Sequence, residues 1–385
     1  MTHRERVLTA LSHKEPDMVP IDLGATRNSS IVVGGYEKLK AYMGVKDKNR
    51  ITNRMMQTVD VSEEILQLLD IDFRSLYPGT PDKGATVELA ADRYIDEWGI
   101  ERFKPEGSYY YDIVKMPLSG QITTTDINKY SWPDPTDPGR WRGLKQKAAE
   151  IRMNTDCAIA LNLPSAFIHT SQYLRGFEDW YIDLAADHEI AGFLFDTILE
   201  IILEICKHIL EEVGDSIDVI IAADDLGLQD NLMMPVETYR KLVKPRHEKY
   251  FRLMHEKSKA KVHYHTCGTV VSIIDDLIEI GVDILNPVQV AAKGMDPAYL
   301  KKTYGGRLSF WGGIDTQKIL PYGNVKDVEA EVERMIEIMG KDGGYILGAV
   351  HNIQPDVPVE NVLALFRHAR EYYLCNPSRG IVPSL

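Results

Sequence analysis

At 385 residues, with 44% hydrophobic and 26% charged side chains, the chain can bury one large core or two ordinary ones and has the composition of a soluble globular protein. A net charge of −13 and a pI near 5.4 argue against nucleic acid or an anionic membrane as the main partner, and against a highly anionic substrate unless a local basic pocket overrides the global field. Cysteines 157, 206, 267 and 375 are spaced like reduced thiols, residues 1–6 lack an apolar signal region and no long apolar run exists, so a cytoplasmic setting without a membrane anchor is expected.

In chain order, a short helix over 4–11 precedes a first strand at 18–23, and a helix over 62–70 leads to a second strand at 72–77. Residues 85–122 hold strand-like runs at 93–100 and 109–114, separated by Pro105 and Gly107. They read as an antiparallel β-hairpin inserted after strand two, followed by a proline-rich connector over 130–139. From residue 155 onward, short β-branched runs alternate with helical patterns. The strands fall at 158–162, 217–223, 261–265, 284–286, 308–311 and 344–348. The helices fall at 190–213, 236–257, 270–280, 296–304, 325–339 and 359–373, with Cys206 as plain core. Eight strands with helices between them predict an α/β fold, a (β/α)8 TIM barrel, as a single domain over 1–385. Such a barrel needs roughly 250 residues and tolerates insertions. A doubly wound sheet has less support, because no GxGxxG turn follows the first strand.

A barrel of this kind collects its chemistry at the C-terminal rim. Strand four ends in Asp224-Asp225-Leu226-Gly227, then Gln229. Strand five ends in His265-Thr266-Cys267-Gly268, strand six in Asn286-Pro287-Val288-Gln289, strand seven in Trp311-Gly312-Gly313 and strand eight in Val350-His351-Asn352. Strand alternation puts His265 and Cys267 on one face, where an imidazole and a thiol make half of a zinc site. Plainer readings stand beside each. Asp224 and Asp225 point opposite ways and serve equally as turn caps. His263, on the face of His265, reads as a packed lumen imidazole, and Met233 with Met234 as core filler.

These residues resemble the uroporphyrinogen decarboxylase superfamily over essentially the whole length. The resemblance rests on Arg4-Glu5-Arg6-Val7-Leu8 with Glu15-Pro16-Asp17 and Val19-Pro20 at one end. At the other it rests on Gly343-Gly344-Tyr345-Ile346-Leu347, His351-Asn352-Ile353-Gln354-Pro355 and Pro358-Val359-Glu360-Asn361-Val362. It implies a (β/α)8 barrel. Decarboxylases of the group hold a tetrapyrrole with an Arg-x-x-Gly-Arg element after the first strand. Here the stretch 24–30 has one arginine, Arg27, and no such element. Cobalamin-dependent methyltransferases of the superfamily carry His-x-Cys as zinc ligands with a further, much later cysteine. His265 and Cys267 match the pair, His351 stands at the late position, and Cys375 lies beyond the last predicted helix.

The resemblance therefore implies an enzyme moving a methyl group between a small methylated substrate, such as a methoxylated aromatic, and a corrinoid protein. Its zinc is held by His265 and Cys267 and completed by His351 or by one of Asp224 and Asp225. Asp224, Asp225 and His351 are also the expected catalytic groups. Gln229, Asn286 and Gln289 are expected to orient substrate, with Tyr109, Tyr110, Trp180, Trp311 and Met233 as pocket walls. A homodimer is a further expectation. A decarboxylase and a non-catalytic corrinoid or small-molecule binding protein are the competing readings.

Overall fold

Parallel strands succeed one another round a single axis in the computed structural model, which describes residues 1–375. In chain order, β1 (Arg50–Asn53) and β2 (Thr58–Asp60) form a small antiparallel ribbon, and β3 (Phe73–Leu76) is the first long barrel strand. The strands β4 (Thr86–Ala90), β5 (Arg93–Asp96), β6 (Glu101–Phe103) and β7 (Asp112–Lys115) make a separate antiparallel sheet. The barrel resumes with β8 (Ala158–Asn162), β9 (Val219–Ala223), β10 (Lys261–His265), β11 (Ile284–Asn286), β12 (Ser309–Trp311) and β13 (Tyr345–Ile346). The spatial order β13-β12-β11-β10-β9-β8-β3 follows the chain, with every pair parallel.

The expected strand at 18–23 is reduced to one bridge between Ile21 and Leu347. Pro20 has no N–H to give a ladder, and Gly24 turns away at φ +83°. The segment still closes the barrel. Asp22 N donates to Leu347 O at 2.9 Å on one side, and Asp72 N donates to Ile21 O at 3.2 Å on the other. Seven strands and this stave make the (β/α)8 barrel.

Side-chain alternation splits the core in two. Phe73, Ala158, Ala160, Val219, Ile221 and Trp311 point into the lumen, whose floor is sealed by Val7 and Leu11 of the helix His3–Leu11. Their neighbours Ile159, Leu161, Ile220, Val262 and Tyr264 face outward onto the helices. His263 is sealed inside the lumen, with its ring edge-on to Trp311 at 5.0 Å and neither nitrogen hydrogen-bonded. Burial pushes it down to about 3, so it stays neutral packing.

The insertion differs from the expected hairpin. Gly99, at φ +75°, turns the run 93–100 back on itself, so the expected strand keeps only β5 and ends in the turn that leads into β6, and β4 adds a fourth strand. Tyr109 and Tyr110 lie in the loop before β7. The expected helix 236–257 is broken into Val236–Thr238, a π-helical turn Tyr239–Val243 and Lys244–Lys257. Pro245 lacks the N–H that a continuous helix requires there. Among the described residues no helix is long and apolar enough to cross a membrane.

Candidate metal centre and cavity

His265 ends β10 in register with Ala223 of β9 and Asn286 of β11. Asn286 Nδ2 donates to Trp311 O at 3.1 Å, and a backbone carbonyl only accepts. The amide is therefore fixed with Oδ1 toward His265, whose Nδ1 lies 2.5 Å away. The proton sits on Nδ1, and Nε2 turns a lone pair toward Cys267 Sγ at 3.3 Å. One sequence feature, the His-x-Cys spacing, thus delivers both ligand atoms to one point.

The turn after Cys267 is held from both sides. Cys267 N donates to Asp225 Oδ1 at 2.8 Å and Gly268 N to Gln289 Oε1 at 2.7 Å. Gly268 adopts φ +81°, and a Cβ there would stand 2.3 Å from the carbonyl carbon of Gly227, so only glycine fits. His351, from the last rim turn, brings its ring centroid to 5.7 Å from that of His265. Ligand atoms of His265, Cys267 and His351 all lie within 4.8 Å of one another. Burial lowers His265 below the ordinary imidazole value and His351 to about 4, so both stay neutral and keep a lone pair. Burial, then the Asp225 carboxylate, push the Cys267 thiol well up, so it ionises only against a cation. Two neutral imidazoles and one such thiol suit zinc.

The two aspartates have separate jobs. Asp224 is fully buried and takes three backbone N–H groups at the start of the helix Ile168–Arg175, from Phe167, Ile168 and His169 at 3.0, 3.0 and 3.1 Å. It is a cap, not a group in the cavity, which corrects its expected catalytic role. Burial opposes its charge, but His169 and His247 outweigh that and hold it at about 2. Asp225 faces the cavity, its Oδ1 4.0 Å from His265 Nε2. His169 lies between the pair, Nδ1 3.3 Å from Asp224 and Nε2 3.3 Å from Asp225. Burial works against protonation of His169. Tyr173 and the two carboxylates overcome it and raise the ring well above its ordinary value.

A cavity of about 430 Å³ opens beside this cluster, between barrel rim and insertion. His265, His351 and Asp225 form its floor, and Tyr94, Tyr173 and Met55 contribute wall. Several expected pocket residues lie elsewhere. Trp180 is buried among the outer helices and donates to Ser171 Oγ at 2.9 Å. Trp311 fills the lumen below, its ring 4.6 Å from Phe73 and its Nε1 2.8 Å from Asp22. Gln229 is exposed, with its carbonyl accepting from Lys293 N. Met233 packs near Gln172 Nε2 at 3.6 Å. Tyr109 is 46% exposed, and Tyr110 hydrogen-bonds Gln354. Asn286 and Gln289 spend their side chains on His265 and Gly268, so they hold the site rather than a substrate.

His169, Arg102 and Tyr173 line the cavity without a signal read from the sequence, and Arg27, noted there only as the one arginine of 24–30, lines it too. The strand-end rule that flagged strands four to eight, applied equally to strand three and the closing stave, finds His169 and Arg27.

The family described as Uroporphyrinogen decarboxylase (URO-D) matches residues 122–372. A curated uroporphyrinogen decarboxylase from Wolinella succinogenes is 28% identical over 104 residues. That stretch is 27% of this chain and 27% of the relative, so the chain matches about a quarter of that protein's length. Among solved structures, a methyltransferase from Methanosarcina mazei superposes with a TM-score of 0.66 at 18% identity, covering 97% of this chain and 99% of that one. The whole barrel with its insertion is thus a shared fold.

Proposed function

The chain belongs to the uroporphyrinogen decarboxylase family, and from that premise we propose that it is a zinc-dependent methyltransferase, moving a methyl group between a small methylated substrate, a methoxylated aromatic foremost, and a corrinoid carried on a separate protein. The observation that carries this reading is the approach of His265 Nε2 to Cys267 Sγ at 3.3 Å, with His351 closing the triad. The similarity in fold to the Methanosarcina methyltransferase supports it. Held by His265, Cys267 and His351, zinc supplies a Lewis acid for the heteroatom that bears the methyl group, an effect of several kcal/mol.

The chain's own residues do the rest. Asn286 keeps the His265 proton on Nδ1 and so keeps Nε2 available. Asp225, tied to the Cys267 backbone, fixes the turn that carries the thiol. Tyr94 and Tyr173 contribute apolar wall for an aromatic substrate, their ring faces already covered by Arg54 and by Arg102 and His169, and the insertion sheet shields the reacting carbon from bulk water. The cavity opens between the barrel rim and the insertion, where a corrinoid delivered by a partner would reach the methyl group.

Methyl transfer to cob(I)alamin, across methoxylated, methylamine and thioether donors, tests the reading. Turnover of at least one donor, falling at least about 100-fold in Cys267→Ala, is expected. The family's description favours one alternative, a decarboxylase. Substrate decarboxylation that survives chelation and Cys267→Ser would select it. Substrate affinity with no turnover would select a non-catalytic binder.

A further inference from the structure

Asp225 stands where it could close the metal site. Its Oδ1 lies 4.0 Å from His265 Nε2, and burial followed by its charge raises the Cys267 thiol. A carboxylate beside two ligand atoms is itself a ligand for zinc, binding at about 2.0–2.2 Å. Joined to His265, Cys267 and His351, it would complete four protein ligands. That is the arrangement of a structural site, with no position left for a substrate.

Both oxygens of this carboxylate are engaged otherwise. Oδ1 accepts from Cys267 N at 2.8 Å, and Oδ2 faces His169 Nε2 at 3.3 Å. The first contact leaves the carboxylate beside the ligands, since Cys267 is one of them. The second holds it from outside the ligand set, from the helix Ile168–Arg175. His169 is itself well anchored. Its Nδ1 lies 3.3 Å from Asp224 Oδ1, and its backbone N donates to the same oxygen at 3.1 Å. Asp224 is fixed in turn by Phe167 N and Ile168 N, with His247 Nε2 at 3.4 Å. The His169 ring stacks on Tyr173 at 5.8 Å between centroids, and the Arg102 guanidinium of β6 lies 5.0 Å from the centre of the Tyr173 ring. With a carboxylate facing each nitrogen, both ring N–H groups donate and the hold on Asp225 is charge-assisted.

We propose that His169 is a positioning residue that keeps Asp225 off the metal, so that the coordination position meant for substrate stays open. This deepens the function above and rests on it in taking His265, Cys267 and His351 as the ligands. Losing a residue that merely supports the fold would weaken the metal site. Losing this one should instead release Asp225 into it.

Cobalt(II) in place of zinc, with imidazole as a neutral probe of the open position, tests this on the purified full-length protein at about pH 8. Imidazole binding is read from the cobalt absorption bands and needs no turnover. His169→Phe keeps a ring against Tyr173 and loses both donors. It is expected to bind cobalt no more weakly than wild type and imidazole at least about tenfold more weakly, because Asp225 fills the position. Adding Asp225→Asn, which still offers Oδ1 to Cys267 N but brings no carboxylate, should restore imidazole affinity to within about twofold of wild type. His169→Gln, with one amide group left to donate, should fall between. Melting temperature shows which variants are folded, and if His169→Phe is not, the same comparison on His169→Gln decides. Imidazole affinity unchanged without His169, or lost and not restored by Asp225→Asn, overturns the proposal. Methyl transfer is measured separately. Cobalt-loaded protein that moves no methyl group yet shows the His169-dependent change contradicts the methyltransferase reading and upholds this role. Active wild type whose imidazole binding ignores His169 does the reverse, and protein that takes up no metal overturns both.

Discussion

Asn286 decides which nitrogen of His265 faces the cavity, because its own amide is oriented by Trp311 O. Asn286→Ala leaves His265 free to exchange tautomers and turn. Its zinc affinity, measured by competition with a chromogenic chelator, should fall about 10- to 100-fold with the fold intact. Unchanged affinity would show that the tautomer is set elsewhere. Strand alternation made His265 and Cys267 legible as a pair, since a period of two needs no knowledge of packing. Trp180, Gln229 and Trp311 were not legible in the same way. Whether a large side chain turns into a lumen, an outer layer or solvent depends on neighbours far away in sequence, such as Ser171 for Trp180 and Asp22 for Trp311.

At the scale of the element, two rim turns are built around groups that tolerate little change. Asp224 caps the helix Ile168–Arg175, and its carboxyl lies at about 2 against an ordinary 3.8. A depressed carboxylate stabilises the fold above its unfolded value and loses that contribution as pH falls through its folded value. The contribution is therefore complete above about pH 4 and disappears toward pH 2. Asp224→Asn should cost about 2 kcal/mol at pH 7 in urea unfolding, with the gap from wild type closing as pH drops from 5 toward 2. A gap independent of pH would contradict this role. Gly268→Ala, forced into a left-handed backbone against Gly227, should lower stability by at least about 1 kcal/mol and weaken zinc binding together. Retention of both would show that the turn yields. The insertion was legible as β-structure but not as four strands. The reversal at Gly99 is a single positive-φ residue inside a run that otherwise alternates like one strand.

For the molecule as a whole, the barrel was the most legible feature, since eight apolar runs alternating with helical patterns leave few other closures. Its closure through Ile21 rather than a full strand was not, because a stave held by a few bonds around one bridge has no pattern of its own. What the barrel accomplishes is convergence. It brings His351, far along the chain, to the His265–Cys267 pair, with ligand atoms of all three within 4.8 Å of one another at one rim. Metal analysis of the purified protein tests that claim most directly. The account predicts about one zinc per chain, lost in folded His265→Ala and Cys267→Ala and weakened in His351→Ala. Natively folded protein that takes up no zinc, or binds it undiminished in all three variants, would contradict it.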